Sequence, residues 1–173
     1  LWGTRSAFEH INGPTGPGKK KQWDNPISFA NNPAETDAYA CPFSPVKVHV
    51  YDSLGNHIGP NETGGIDSNI PGVYLYDPDN DIFIIETSDD LTFKIKATAS
   101  GEFGFTFGIR QKPPSTETTV TYNGISITEK TVATLNAGSN NPDYQMEIDM
   151  EGDGSIDLIK TPDNITVTQI PVG

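Results

Sequence analysis

The sequence predicts an all-β protein: an antiparallel β-sandwich, as one large or two small packed lobes, preceded by an extended N-terminal arm. Three observations carry this. Apolar and polar residues alternate from Pro45 onward, the period of two that marks strands with one buried face. Turn residues separate the apolar runs about every 8–12 positions, the spacing of sandwich folds. No helix-length stretch keeps a helical period.

Residues 1–42 stand apart. Gly13, Pro14, Gly16, Pro17 and Gly18, then Asn25-Pro26 and Asn31-Asn32-Pro33, break both helix and strand. The apolar residues there are isolated, and the segment reads as an extended arm, as the tail of an upstream domain, or as an arm that docks on another subunit. Residues 43–112 form a first β lobe. Val46, Val48 and Val50 alternate with Lys47, His49 and Tyr51, and Asp52 to Asn56 supplies a turn before the return strand at His57-Ile58-Gly59. A Gly-rich loop follows through Gly65. Strands are then expected over residues 73–76, 82–87 and 91–97. Phe103, Phe105 and Phe107 line one face of the next, with Gly104 and Gly108 opposite.

Pro113-Pro114 within residues 111–115 reads as a hinge into a second lobe, residues 113–173. Asn123-Gly124 between two β-branched runs is a hairpin signal joining residues 118–122 to 125–128. Further strands are expected over 132–135, 144–149, 156–160 and 165–170.

Charge narrows the function classes. The chain of 173 residues has 23 acidic against 11 basic residues, a formal net charge of −12. Such a surface repels phosphate backbones and anionic lipid, so the reading excludes nucleic-acid partners. No apolar run reaches the roughly 20 residues of a spanning helix, which argues against membrane insertion. The lone cysteine, Cys41, has no internal disulfide partner. It fits a reducing compartment, or an oxidising one where packing and bound ions hold the fold. The chain opens at Leu1 with no initiator Met or signal peptide, as expected of a processed or excised piece. Asn61-Glu62-Thr63 and Asn164-Ile165-Thr166 are glycosylation sequons.

Motifs for catalysis are missing. His10, His49 and His57 sit apart, with His49 read as a solvated strand residue. There is no His-Glu-x-x-His, no Gly-x-Ser-x-Gly and no phosphate-cradling loop. The chain is therefore read as non-catalytic. One motif rises above the acidic background. Asp149, Glu151, Asp153, Ser155 and Asp157 place side-chain oxygens at alternate positions around the turning Gly154, like the first nine residues of a calcium loop of the EF-hand type. Two features depart from that loop: Glu151 at its third position, and Lys160 where the bidentate Glu belongs. Calcium is the candidate cofactor, and a plain acidic hairpin is the alternative.

The segment Ser44-Pro45-Val46 through Asp52-Ser53-Leu54-Gly55, followed by Ile70-Pro71-Gly72, resembles the opening of β-rich accessory modules found C-terminal in secreted bacterial and archaeal proteins. The run from Gly101 to Phe107 is similar to their later Gly-x-Tyr-x-Leu-x-Val strand. Residues 119–135 and 149–157 are similar to their distal part, which often carries Asp-x-Asp-Gly-Asp-Gly. Such modules trail lipases, other α/β-hydrolases, proteases or adhesive domains. The resemblance implies an accessory role in a secreted or cell-surface protein, possessing no catalytic residue, and an upstream domain or neighbouring subunits as partners. Two alternatives stay open. One is a filament subunit joined by strand addition of the N-terminal arm. The other is a carbohydrate-binding module, with a glycan stacked on Trp2, Trp23, Tyr39, Tyr74 or Tyr76.

Overall fold

The computed structural model describes residues 36–43, 45–77, 82–86, 90–111, 116–138 and 140–169. Among them are thirteen strands and no helix. They are β1 (Thr36–Phe43), β2 (Val46–Tyr51), β3 (His57–Pro60), β4 (Ile66–Ser68), β5 (Val73–Asp77), β6 (Ile82–Glu86) and β7 (Leu91–Ala97). The remainder are β8 (Gly101–Gln111), β9 (Thr116–Ile127), β10 (Val132–Ala137), β11 (Met146–Asp149), β12 (Leu158–Lys160) and β13 (Asn164–Gln169). They form a six-stranded sheet in the order β13-β9-β8-β1-β6-β5 and a seven-stranded sheet in the order β12-β11-β10-β7-β2-β3-β4.

The fold is an antiparallel β-sandwich, as the alternation predicts. Val46, Val48 and Val50 of β2, Leu91, Phe93 and Ile95 of β7, and Ala133 and Leu135 of β10 are buried on the inner face of the seven-stranded sheet. Phe103, Phe105 and Phe107 of β8 and Val120 and Tyr122 of β9 are buried from the other sheet. The Phe93 ring meets Phe105 edge-on at 5.4 Å and Phe107 at 5.7 Å, geometry that suits the aromatic quadrupole. Tyr122 is fully buried, and its hydroxyl donates to the carbonyl of Tyr144, which satisfies the ring's one polar atom.

Four expectations are corrected. The arm does not reach to residue 42, because Thr36–Phe43 is an internal strand. It pairs with β8 along all eight of its residues and with β6 from Asp37 to Ala40. Pro42 is accommodated because it lies beyond the last β6 partner. The chain divides into Leu1–Ala34 and Glu35–Gly173. The first of these lies outside the described residues, and so do Trp2, Trp23 and His10.

Nor do residues 43–112 and 113–173 form separate lobes. β9 pairs with β8 and β10 pairs with β7, so both halves contribute to both sheets and to one core. The strands on either side of the supposed hinge, β8 and β9, pair antiparallel with Gln111 opposite Thr116, and residues 112–115 lie outside the described residues. Residues 66–68, between the Gly-rich loop and the next expected strand, are the edge strand β4.

Asn123-Gly124 is not a hairpin turn. Phe103 pairs with Ile125 and Phe105 with Tyr122, so β9 runs through with one extra residue, a β-bulge. Gly124 supplies the positive φ of +59° that such a bulge requires, which is the conformation the turn would also have used. The buried set Val120, Tyr122, Ile125, Ile127 skips a position at the bulge.

Candidate functional site

The acidic loop leaves β11 at Asp149, which is buried although charged, with 7% of its surface exposed. Its Oδ1 accepts from the amides of Gly152 at 2.6 Å and Asp153 at 3.2 Å, and its Oδ2 from that of Gly154 at 2.7 Å. The Gly154 amide, reinforced by those of Gly152 and Asp153, holds the Asp149 carboxyl below the usual carboxylate range despite the opposing pull of burial. Asp157 Oδ2 accepts from the Met150 amide at 2.7 Å, and Asp153 Oδ1 from the Ser155 amide at 2.8 Å. Glu151, Asp153, Ser155 and Asp157 are exposed.

A calcium ion needs about six to eight converging oxygens. Here the oxygens of Asp149 are turned onto amides, and Asp153 and Asp157 each commit one oxygen to an amide as well. Among the described residues no three Asp, Glu, His or Cys side chains gather where they could hold a metal. As folded, these residues do not fit the cation, and the loop is closed by carboxylate-to-amide bonds instead. Melting curves recorded with chelator and with millimolar calcium are expected to coincide. Asp149→Ala is expected to lower the melting temperature equally in both, because it strands three amide donors. A calcium-dependent rise in the parent that Asp149→Ala abolishes would show that the loop rearranges around the ion.

A second cluster lies on the outer face of the seven-stranded sheet. Tyr51 pairs with His57 across the β2–β3 hairpin. His49 is two residues before Tyr51, and its Nδ1 lies 3.0 Å from His57 Nε2. His57 Nδ1 lies 3.0 Å from Asp67 Oδ2 on β4, and Asn61 Nδ2 donates to Asp67 Oδ1 at 2.8 Å. Tyr51 stacks on His57 with centroids 4.7 Å apart. Gly59 is obligatory beside this pair, since it has φ +138° and a Cβ there would come within 3.1 Å of His57 Nε2.

With Asp67 ionised, His57 Nδ1–H donates to it, His57 Nε2 accepts, and His49 Nδ1–H donates. His49 is therefore not the solvated strand residue expected from its place opposite the valines; it is 7% exposed. Burial first, then Lys96, His57 and Lys94, depresses its pKa from 6.5 to about 4, and the ring is neutral at pH 7. The signal that could have found the cluster was hairpin register: once Tyr51 opposes His57, His49 falls diagonally across from it on the same face.

The depressed pKa has a pH consequence. Between pH 6.5 and about 4 the unfolded chain carries the His49 proton and the folded chain does not, so stability falls as pH falls through that window. The ring sits near the surface, so with solvent screening allowed for the loss is about 1–2 kcal/mol. His49→Gln is expected to flatten the urea-midpoint profile over that range. An unchanged slope in the variant would remove His49 as its source.

The third feature is the edge at β13. Ile165 pairs with the buried Val120, and so faces inward with Val167, yet they are 46% and 63% exposed. Leu158 of β12 pairs with the buried Ile148 and is 49% exposed. The side chains of Tyr39, Tyr74 and Tyr76, named above for glycan stacking, lie outside the described residues. Compared with known proteins, the chain matches no family model, no curated protein sequence and no solved structure, so its function is argued from its own residues.

Proposed function

We propose that the chain is a non-catalytic structural module of a larger secreted or cell-surface protein, joined to its neighbour by addition of a strand to β13. The observation that carries this reading is the contrast among the sheet edges. β4 and β12 are three residues long and carry Asp67 and Lys160; β5 is bulged and ends on Asp77. Short length, charge and bulges are the devices that keep an edge from pairing. β13 has none of them. Its six residues, Asn164 to Gln169, include no charge and no proline, are β-branched at four positions, and are all exposed. The secreted setting rests on the resemblance of residues 44–165 to accessory modules.

Strand addition would hydrogen-bond the outward amides of β13 and cover Ile165 and Val167. Hydrogen exchange tests this. The outward β13 amides are expected to exchange rapidly in the isolated chain and to be protected in the intact parent protein. Rapid exchange in both would overturn the reading. Where the added strand comes from another copy, protection grows with concentration in the isolated chain and Val167→Lys removes it; that result favours the filament subunit over the accessory module.

A further inference from the structure

Across the outer face of β10, β7 and β2 the charge is opposite to that of the chain as a whole. The chain carries 23 acidic and 11 basic residues, yet the adjacent strands β10, β7 and β2 contain Lys47, Lys94 and Lys96 and no Asp or Glu. Register sets Lys47 directly against Lys96, while Lys94 stands opposite the neutral His49. Their neighbours Leu91, Phe93, Ile95, Val48 and Val50 point into the core, which puts these basic side chains on the outer surface. Directly opposed like charges destabilise a sheet. Among the described residues no carboxylate forms an ion pair with Lys94 or Lys96. A long polyanion laid across the face would run onto the acidic remainder of the surface and be repelled, so the complement must be short and local.

The chain itself carries such a complement. Val132 of β10 pairs with Lys96 on one side and with Asp149 on the other, so the acidic loop begins about 10 Å from Lys96, two strand spacings along the same row. The Asp149-to-amide bonds make that loop rigid, and it holds Glu151 and Asp153 exposed. We propose that the outer face of β2 and β7 docks the acidic loop of a second copy of this chain. Because loop and lysines lie side by side, a two-fold pairing sets each loop on the other copy's lysines and closes the dimer. This inference is independent of the β13 edge.

Charge swapping tests it. Lys94→Glu with Lys96→Glu, and separately Glu151→Lys with Asp153→Lys, are exposed or half-exposed changes, and thermal melts check that each variant folds. The parent is expected to sediment as a salt-sensitive dimer, with each double variant weakened at least about tenfold. An equimolar mixture of the two variants should recover the dimer, since acidic face then meets basic loop. Val167→Lys should leave the dimer intact, which separates this contact from strand addition. A parent that stays monomeric, a dimer that survives Lys94→Glu with Lys96→Glu, or a mixture no tighter than its components overturns the proposal. So does a monomeric parent retained by polygalacturonate through Lys94 and Lys96, which would assign the face to an acidic glycan.

Discussion

A chain that begins at Pro45 is expected not to fold, whereas one that begins at Glu35 folds. β1 sits between β8 and β6 in the six-stranded sheet. Without it, β13-β9-β8 separates from β6-β5, and the backbone groups that paired along both flanks of Thr36–Phe43 lose their partners. The inner face formed by Phe83, Phe105 and Phe107 would open at the gap. Amide spectra measure the outcome: collapsed dispersion for the chain from Pro45, native dispersion for the chain from Glu35. A synthetic peptide of residues 35–44, added to the shorter chain, is expected to restore dispersion by refilling the strand position. Well-dispersed spectra from the shorter chain alone would mean that β8 and β6 close on one another without β1.

Phe105→Ala is expected to lower stability by about 3–5 kcal/mol, because it removes a large buried ring and leaves a cavity. The ring is fully buried and meets Phe93 from the opposite sheet at 5.4 Å and Phe107 at 6.1 Å, so its loss is felt in both sheets. A domain of this kind has about 5–15 kcal/mol in total, so from about a fifth to all of the folded state's margin would go. Urea midpoints read the change, with Val167→Ala as the exposed comparison, expected within about 0.5 kcal/mol of the parent. A Phe105→Ala midpoint close to the parent's would mean that the two sheets do not pack as described.

The site was less legible than the fold. Asp149, Glu151, Asp153, Ser155 and Asp157 were visible as an alternating oxygen pattern, but spacing reports only which side chains are near, not what their oxygens face. In the folded loop the amides of Gly152, Asp153 and Gly154 reach Asp149 first. His49, His57 and Asp67 showed no spacing signature, because three strands of different register bring them together. The basic face was hidden for the same reason: Lys47 is separated from Lys94 and Lys96 in sequence and meets them only through the β2–β7 ladder.

By itself the sequence determined the fold class and most of the strands, since a period of two over β2, β7, β8 and β10 expresses which side chains must leave water. That is a local property, and hydrophobic burial enforces it wherever the strand is placed. What only the tertiary structure decided was pairing. Ala38, Ala40 and Pro42 carry too little apolar contrast to announce a strand, and β1 exists because β6 and β8 offer hydrogen bonds on both flanks. Gly124 allows a turn and a bulge equally well, and the choice fell to the bulge because Ile125 and Ile127 bury their side chains by continuing along β8 rather than folding back. Backbone hydrogen bonding and burial of distant neighbours set these outcomes, and neither is written in the residues that obey them.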